Sequence, residues 1–310
     1  MSGASVLFDA PGPRARRRYT LLAVLGVLIA LAGVYVVLSK MADAGQLTAD
    51  LWTPFFTAEV WEQYLIPGLS GTLKAAAISM VLAGIFGLLF GIGRLSHIAA
   101  VRWVCGVVVE FFRAVPVLIM MIFFFGVYAQ NNVFSSEVNP LAAVVTGLTL
   151  YNGSVVAELV RSGVYSLPKG QSEAGLSIGL SPGQVLRSIQ LPQALTAMLP
   201  ALIGQMVVVL KDSALGSAIT YLELLNWSKT LGSAYANTVP AYIVAALLFI
   251  VMNYVLTVVA SRVERRLARR GRTTLHAVPA DPTGGEAGNV GGLENATPAA
   301  GAPARPRAGS

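Results

Sequence analysis

The sequence predicts an all-α integral membrane protein with about six transmembrane helices. Hydrophobic residues make up 55% of the 310 positions and charged residues only 12%, whereas soluble domains carry about 25% charged residues. Several apolar stretches continue over about 20 residues, without the period-two alternation of barrel strands. Most arginines lie beside these stretches, which explains the net charge of +7 without a nucleic-acid partner.

The first span is predicted over residues 19–39, directly after a polar segment, residues 1–18, that ends in an arginine cluster. A secretory signal peptide is the alternative, because Ala42-Asp43-Ala44 has the small-x-small form of a cleavage site. The apolar run is 21 residues long, and the roughly 7 to 15 apolar residues of a signal peptide favour a retained span instead. Whether the first span is retained or cleaved, residues 40–71 are expected on the outer side of the membrane.

Five further apolar stretches complete the set of spans, and a glycine pair in the second span, Gly87 and Gly91, allows another helix to approach closely. Pro200 interrupts the fifth span and is a candidate hinge near the pathway. The five stretches are residues 72–93, 107–130, 140–157, 194–210 and 240–260.

Basic residues are distributed unevenly between the two sides of this arrangement. The outer segments hold Lys40, Lys211 and Lys229. Cytoplasmic segments of membrane proteins carry the excess of lysine and arginine, so both termini are predicted to be cytoplasmic. The inner segments then hold fifteen basic residues: Arg14, Arg16, Arg17, Arg18, Arg94, Arg102, Arg161, Lys169, Arg187, Arg262, Arg265, Arg266, Arg269, Arg270 and Arg272.

A polar, turn-rich segment, residues 167–192, lies on the predicted inner side between two long apolar stretches. Pro168 can open a short helix, and Gly179 can close it in the left-handed conformation. Ser181, three residues before Gln184, predicts a capping box and a second helix that runs towards Pro192. The segment therefore predicts two short helices, joined by a glycine turn, at a membrane surface.

Seven residues of this segment carry a family resemblance. Their order and spacing resemble the EAA loop of permease subunits in binding-protein-dependent ABC importers, with a glycine in place of the second alanine. The resemblance implies a type I ABC importer permease fold with one extra N-terminal helix, and a loop that docks on a separate cytoplasmic ATPase and transmits its motion. The seven residues are Glu173, Ala174, Gly175, Gly179, Ile189, Leu191 and Pro192.

Other segments are similar to one branch of that family, the polar amino acid permeases. Residues 110–116 resemble the branch's FRGTP segment, and residues 158–171 its AEIxRGGIxSVPKGQ segment. Residues 191–195 and 210–212 are similar to its LPQAL and LLKDTSL motifs. The resemblance covers roughly residues 66–265 and implies a bacterial cell membrane permease for glutamate or glutamine, with a second permease subunit and an extracytoplasmic substrate-binding protein as partners in the lipid-embedded assembly.

Charged residues near the span ends have more than one interpretation. Glu110 with Arg113, and Glu158 with Arg161, are spaced three apart and can pair on one helix face, either as interfacial anchors or in gating. At the outer end of the fifth span, Lys211, Asp212 and Ser213 are candidates for a substrate pathway. Lys211 and Asp212 can instead act as interfacial anchors or neutralise one another.

The chain is predicted not to be an enzyme. It has no GxxxxGK[ST] segment to hold phosphates, so ATP and Mg²⁺ are expected on the partner ATPase. The single cysteine, Cys105, and the isolated His97 and His276 predict no disulfide, metal site or cofactor in this chain. An ion-coupled secondary transporter and a non-transporting membrane scaffold remain the alternative functions. Gly, Ala and Pro dominate residues 271–310, which predicts a disordered cytoplasmic tail.

Overall fold

The computed structural model describes the backbone of residues 12–273 and the side chains of residues 12–266. Inter-residue contacts divide the chain into two units, Met1–Arg269 and Arg270–Ser310, and the description below concerns the first. Every regular element in the described range is a helix. The predicted tail beyond residue 273 and the first eleven residues lie outside this range.

Five helical segments are long and apolar enough to cross a membrane: Pro13–Asp43, Ala58–Arg94, Asn139–Tyr165, Pro182–Ile219 and Thr238–Arg266. The first is α1, which begins within the predicted polar segment at Pro13, where proline suits a helix start. Short helix α2, Ala49–Trp52, and a 3₁₀ turn follow it. A helix is therefore present over the predicted span, residues 19–39, and extends beyond it at both ends.

The second span starts earlier than predicted. Helix α3, Ala58–Val60, continues through a π-helical turn, Trp61–Leu65, into α4, Ile66–Arg94. The extra residue of a π turn relieves the clash that a proline ring makes with the preceding turn, and Pro67 stands two residues after it. The segment predicted as an external connection before residue 72 is therefore helical in large part.

The third predicted span, residues 107–130, is not one straight helix. It consists of α5, Ala99–Ala114, and α6, Val117–Gln130, bent by 99° between them. Val115 adopts an extended conformation, φ −83° and ψ 129°, because the ring of Pro116 disfavours the helical conformation in the residue before it. The prediction of one continuous helix over residues 107–130 is therefore wrong, and Pro116 is the reason.

Helix α7, Asn139–Tyr165, packs along α4 in the same direction. Gly87 lies against Gly153 and Val156, and Gly91 lies against Val160. Residue numbers therefore increase in the same direction along α4 and α7. Two parallel spans require the chain to recross the membrane between them, and the α5–α6 pair is the segment that does so. The prediction of about six crossings is confirmed, with the third one broken.

The remaining helices complete the bundle. After α8, Lys169–Ser177, and α9, Pro182–Val185, helix α10, Leu191–Asp212, runs antiparallel to α7, because Met198 meets Gly163 while Gln205 meets Asn152. A 3₁₀ helix and α11, Leu224–Ala234, follow at the other end, and α12, Thr238–Thr273, returns. Residues 271–273 of the predicted tail thus belong to a helix.

The main apolar core lies where α4, α6, α7 and α10 meet, around Met121, Leu148 and Leu210, each at most 2% exposed. Helix α1 differs, since none of its residues is buried by the rest of the described chain. Its apolar side chains are therefore exposed on every face, as expected for a helix surrounded by lipid.

Candidate functional site

The loop predicted to dock on a partner, residues 167–192, has the expected helix, turn and helix. Gly179 follows α8 with φ +86°, a conformation that a Cβ atom disfavours. The capping box is complete: the Ser181 hydroxyl accepts from Gln184 N at 3.4 Å, and the Gln184 side chain accepts from Ser181 N at 2.8 Å. Pro168 is the residue before α8 rather than its first residue.

The sequence predicted a second loop helix that runs towards Pro192. In the structure this helix continues past Pro192. Helix α9 continues through a π-helical turn, Leu186–Gln190, directly into α10. Pro192 stands at the second position of α10, and the wider turn before it accommodates the proline ring. The loop and the fifth span are therefore one continuous helical segment, Pro182–Ile219.

Gly175, the departure from the family pattern, lies where the two loop helices touch. It is buried, and a Cβ atom there would lie 2.8 Å from Val185 Cγ2 and 2.9 Å from Ile189 Cδ1. The glycine therefore allows α8 to pack closely on the segment that follows it. Two of the motif residues predicted from the sequence, Gly175 and Ile189, are thus brought into contact.

The outer surface of the loop is open. Glu173 and Ala174 are exposed, and Leu176 and Ile178 are 46% and 77% exposed. Below them is a cleft of about 540 Å³, lined among others by His97, Lys169 and Glu173. An exposed carboxylate beside exposed apolar side chains is a surface that suits a protein partner.

The loop is attached to its two spans in different ways. On the α7 side, Ser166 N donates to Ser162 O at 2.9 Å and Gln171 N donates to Pro168 O at 3.0 Å, and the extended Pro168, with ψ 132°, separates the two helices. On the α10 side, Gln193 Nε2 donates to Gln171 Oε1 at 3.2 Å, next to the π turn. The connection to α7 is a short non-helical turn, residues 166–168, whereas the connection to α10 is continuous helix that passes through a widened turn.

Both predicted charge pairs are present, and they form one network. Arg161 Nη2 lies 2.6 Å from Glu158 Oε1, and Arg113 Nη1 lies 3.4 Å from Glu110 Oε1. Arg94 joins the pairs, with Nη1 2.7 Å from Glu158 Oε2 and Nη2 3.0 Å from Glu110 Oε1. No local sequence pattern indicates a pairing role for Arg94, because its partners are 16 and 64 residues away.

The three candidate pathway residues at the end of α10 do not share one environment. Lys211 is exposed, Asp212 is half-buried, and Ser213 is fully buried with its hydroxyl donating to Leu210 O at 2.7 Å. No ion pair joins Lys211 to Asp212 among the described residues. Of these three side chains, only those of Lys211 and Asp212 are accessible from this end.

A groove between α4, α7 and α10 lies deeper in the bundle, beside Gly84 and Val156. Two carboxamides supply its polar side chains: Gln205 Nε2 donates to Asn152 Oδ1, and Asn152 Nδ2 donates to Leu148 O at 3.0 Å. Asn152 is fully buried, so these bonds satisfy both ends of its amide. The sequence analysis did not single out either residue.

A buried carboxylate caps α11 at the opposite end from the loop, next to a hydrogen bond that joins α11 to the start of α4. Glu223 is fully buried and accepts from Leu225 N at 2.8 Å and Asn226 N at 2.7 Å, which caps α11. Nearby, Leu224 N donates to Thr72 Oγ1 at 3.1 Å. Burial raises the pKa of the Glu223 carboxyl from its ordinary 4.5 to about 7, while the two backbone donors lower it.

Parallel and antiparallel membrane helices, a partner-facing loop between two of them and a charge network at its base define a class of protein: a multi-pass membrane transport subunit that works with another protein. Within the described residues, no group of three or more His, Cys, Asp or Glu side chains could hold a metal ion. The comparisons with known proteins identify the family within this class.

The chain belongs to the family described as binding-protein-dependent transport system inner membrane component, whose model matches residues 83–269. It is 51% identical to the glutamate transport system permease protein GluD of Corynebacterium glutamicum, over 79% of this chain and 90% of GluD. It is 33% identical to the probable glutamine ABC transporter permease protein GlnP of Bacillus subtilis, over 67% of this chain and 94% of GlnP. The recognition of an amino acid ABC importer permease is confirmed.

Solved structures agree with this assignment. A crystal structure of an amino acid ABC transporter with histidines contains a chain that is 26% identical, with a TM-score of 0.63, over 71% of this chain and all of that one. The methionine transporter MetNI, in an inward-facing conformation, contains a chain at 21% identity and a TM-score of 0.58, over 68% of this chain and 99% of that one. The type I ABC importer permease fold is therefore confirmed.

Proposed function

We propose that this permease carries glutamate, or glutamine as the next candidate, driven by a separate cytoplasmic ATPase. The relatives with the names GluD and GlnP support this substrate class. The observation that carries the proposal is the loop of residues 167–192, which holds an exposed carboxylate and exposed apolar side chains on a tightly packed helix pair.

The docking surface consists of Glu173, Ala174, Leu176 and Ile178 on the outside of the loop. The remaining motif residues support this surface from within: Gly175 and Ile189 make the close contact, and Gly179 makes the turn. Leu191 and Pro192 lead from the widened turn into α10. Because the loop continues into a membrane helix at both ends, a displacement of the docked ATPase would move α7 and α10.

The loop side of the protein is the cytoplasmic side in this proposal. Arg94, Arg161 and Arg187 all lie at the end where α4 and α7 finish and the loop begins, together with the basic end of α12. Basic residues accumulate on the cytoplasmic side of membrane proteins. Both termini are then cytoplasmic, and the protein lies in the bacterial cell membrane.

Three further partners complete the proposed assembly: a second permease subunit, either a copy or a different chain, an extracytoplasmic substrate-binding protein, and membrane lipid around α1. Lys211, Asp212 and Ser213 lie at the outer end of α10, where substrate would enter from the binding protein. The exposed Lys211 ammonium suits a substrate carboxylate, and the half-buried Asp212 carboxylate suits a substrate ammonium. The chain itself needs no cofactor, since ATP and Mg²⁺ would bind to the ATPase.

Uptake measurements test the substrate. Deletion of the gene should lower the uptake of labelled glutamate, or of labelled glutamine, in cells grown with the amino acid as the limiting nitrogen source. Re-expression of the full chain from a plasmid should restore it. Unchanged uptake of every polar amino acid in the deletion strain would contradict the proposed substrate class.

Replacement of Glu173 tests the docking surface. Glu173→Ala should leave the permease inserted, because Glu173 is exposed in the middle of α8 and surface substitutions of this kind change stability by only about 0.5 kcal/mol. It should nevertheless weaken ATPase retention and uptake. The matched control is Ser177→Ala on the same helix, whose hydroxyl bonds only to Glu173 O. Equal ATPase retention and uptake in the two variants, at equal permease levels, would refute the docking role.

A further inference from the structure

Arg94 joins three helices at the end of the molecule where the docking loop begins. It belongs to α4, and its guanidinium donates to Glu158 on α7 at 2.7 Å and to Glu110 on α5 at 3.0 Å. Its side chain is only 12% exposed. A planar guanidinium presents separate donor edges to two carboxylates, which an ammonium group does not.

The contact with α7 continues towards the loop. Glu158 also accepts from Arg161 Nη2 at 2.6 Å, and the Arg161 guanidinium lies 5.4 Å from the ring centre of Tyr165. Tyr165 is the last residue of α7. Only Ser166, Leu167 and Pro168 separate it from α8, and their backbone groups are hydrogen-bonded to the helices on either side. A displacement of the docking loop therefore reaches Glu158 through a short, well-ordered path.

The other end of the loop is built to bend. The segment into α10 contains the π turn Leu186–Gln190, and Pro200 lies inside α10. A proline in a helix interior removes one backbone hydrogen bond and favours a kink. A motion of the loop can therefore move and bend α10, whereas α7 has no π turn or proline at its inner end and passes the motion to the groups that hold this end.

We propose that Arg94 is a positioning residue for transport: it fastens the inner end of α7 to α4, beside the longer 3.7 Å contact of Arg113 on α5 with Glu158, so that these helices follow the docking loop as one body. This rests on the proposed ATPase-driven function. Glycine contacts higher up, at Gly87 and Gly91, hold α4 against α7 independently of Arg94. Loss of Arg94 then loosens the inner end and leaves the rest of the helix pair in place.

The test uses the full transporter, permease with its ATPase and binding protein, in membrane vesicles. Arg94→Ala should lower the uptake of labelled glutamate by about tenfold or more, the effect of losing charge-assisted hydrogen bonds that hold the moving parts. ATP hydrolysed per glutamate taken up should rise, while ATPase retention stays at the wild-type level. Glu158 is not left unpaired in this variant, since Arg161 and Arg113 remain within 3.7 Å.

Arg102→Ala is the matched control. Arg102 lies on the same side of the molecule, but its Nη1 donates to the backbone of Ser96 at 2.9 Å, within the adjacent turn. The Arg102→Ala variant removes the same charge as Arg94→Ala, but at a side chain that joins no membrane helices. The ratio of ATP hydrolysed to glutamate taken up should therefore match the wild type in this variant. Arg94→Lys keeps the charge without the two donor edges and should give an intermediate ratio.

The outcomes separate the two proposals. A wild-type permease that retains no ATPase would refute the proposed function itself. A normal ATP-to-glutamate ratio in Arg94→Ala, or a ratio changed equally in Arg102→Ala, would overturn the role of Arg94 alone. If Arg94→Ala fails to accumulate in the membrane, Arg94→Lys is measured in its place, and a normal ratio there overturns the proposal equally.

Discussion

Replacement of Gly87 by alanine tests the close packing of α4 on α7. A Cβ atom at Gly87 would lie 2.4 Å from Val156 Cγ1 and 2.5 Å from Val156 Cβ, and 3.0 Å from Gly153 O. Ordinary contact begins near 3.4 Å, so the two helices would have to separate by about 1 Å. Val156 cannot yield by rotation alone, because the clash includes its Cβ atom, which is fixed to the backbone.

The expected cost follows from overpacking in a dense interior. Such insertions destabilise by about 1 to 3 kcal/mol, which corresponds to a melting temperature lower by several degrees, at about 2 to 4 °C per kcal/mol. The matched control is Gly84→Ala, one turn earlier on the same helix, where a Cβ atom meets nothing within 4 Å. Alanine at this open position should stabilise by about 0.5 to 1 kcal/mol through helix propensity.

The assay is the loss of monodisperse protein on heating in detergent, followed by fluorescence-detected size-exclusion chromatography. We expect a lower midpoint for Gly87→Ala and an equal or higher midpoint for Gly84→Ala, each compared with the wild type. Equal midpoints for the two variants would show that α4 and α7 do not pack at the distance seen here, and the parallel arrangement inferred from that contact would lose its support.

Three further predictions concern topology, pH dependence and the loop turn. With the native cysteine replaced by alanine, a cysteine at Asn132 should react with an impermeant reagent in intact cells and one at Ser181 only after permeabilisation, and the reverse pattern would show the opposite orientation. Because the pKa of Glu223 is raised to about 7 when folded, its stabilising contribution is present below about pH 4.5 and is lost as the pH rises towards 7, by an amount on the order of 3 kcal/mol. Hydrogen exchange in α11 should therefore report weaker protection at pH 8 than at pH 5.5, after correction for intrinsic rates. Glu223→Gln should abolish this difference, and the exposed control Glu62→Gln should keep it. If the difference persists in Glu223→Gln, or disappears in Glu62→Gln, it arises from another group. Finally, Gly179→Ala places a Cβ atom at φ +86°, which costs roughly 1 kcal/mol or more, and ATPase retention unchanged from the wild type would show that the turn is not needed for docking.

The features that sequence analysis predicted correctly are those that neighbouring residues determine. The capping box at Ser181 and the left-handed Gly179 follow from side chains within three or four positions. The glycine pair, Gly87 and Gly91, was recognisable because four-residue spacing places both on one helix face. Apolar length alone located the spans, since a helix needs about 20 apolar residues to cross the bilayer.

The features that it missed depend on distant contacts or on how a helix tolerates proline. Arg94 is 64 residues from Glu158, so no local pattern could join them. Pro116 broke a predicted helix and Pro192 did not, because a π turn precedes Pro192 and an extended residue precedes Pro116. Helix α11 is short and amphipathic, and its position depends on the bond from Leu224 N to Thr72.

The π turn before Pro192 also fixes the rotational phase between the loop and the fifth span. One residue turns an α-helix by about 100°, so the extra residue in Leu186–Gln190 sets which face of α10 meets α7. Val185, before this turn, contacts Gly175 in the loop, while Met198 and Gln205, beyond it, contact α7. Deletion of a single residue here would leave the helix continuous and its length almost unchanged. It would nevertheless turn Met198 and Gln205 away from α7, so insertions and deletions in this turn are constrained far more tightly than substitutions.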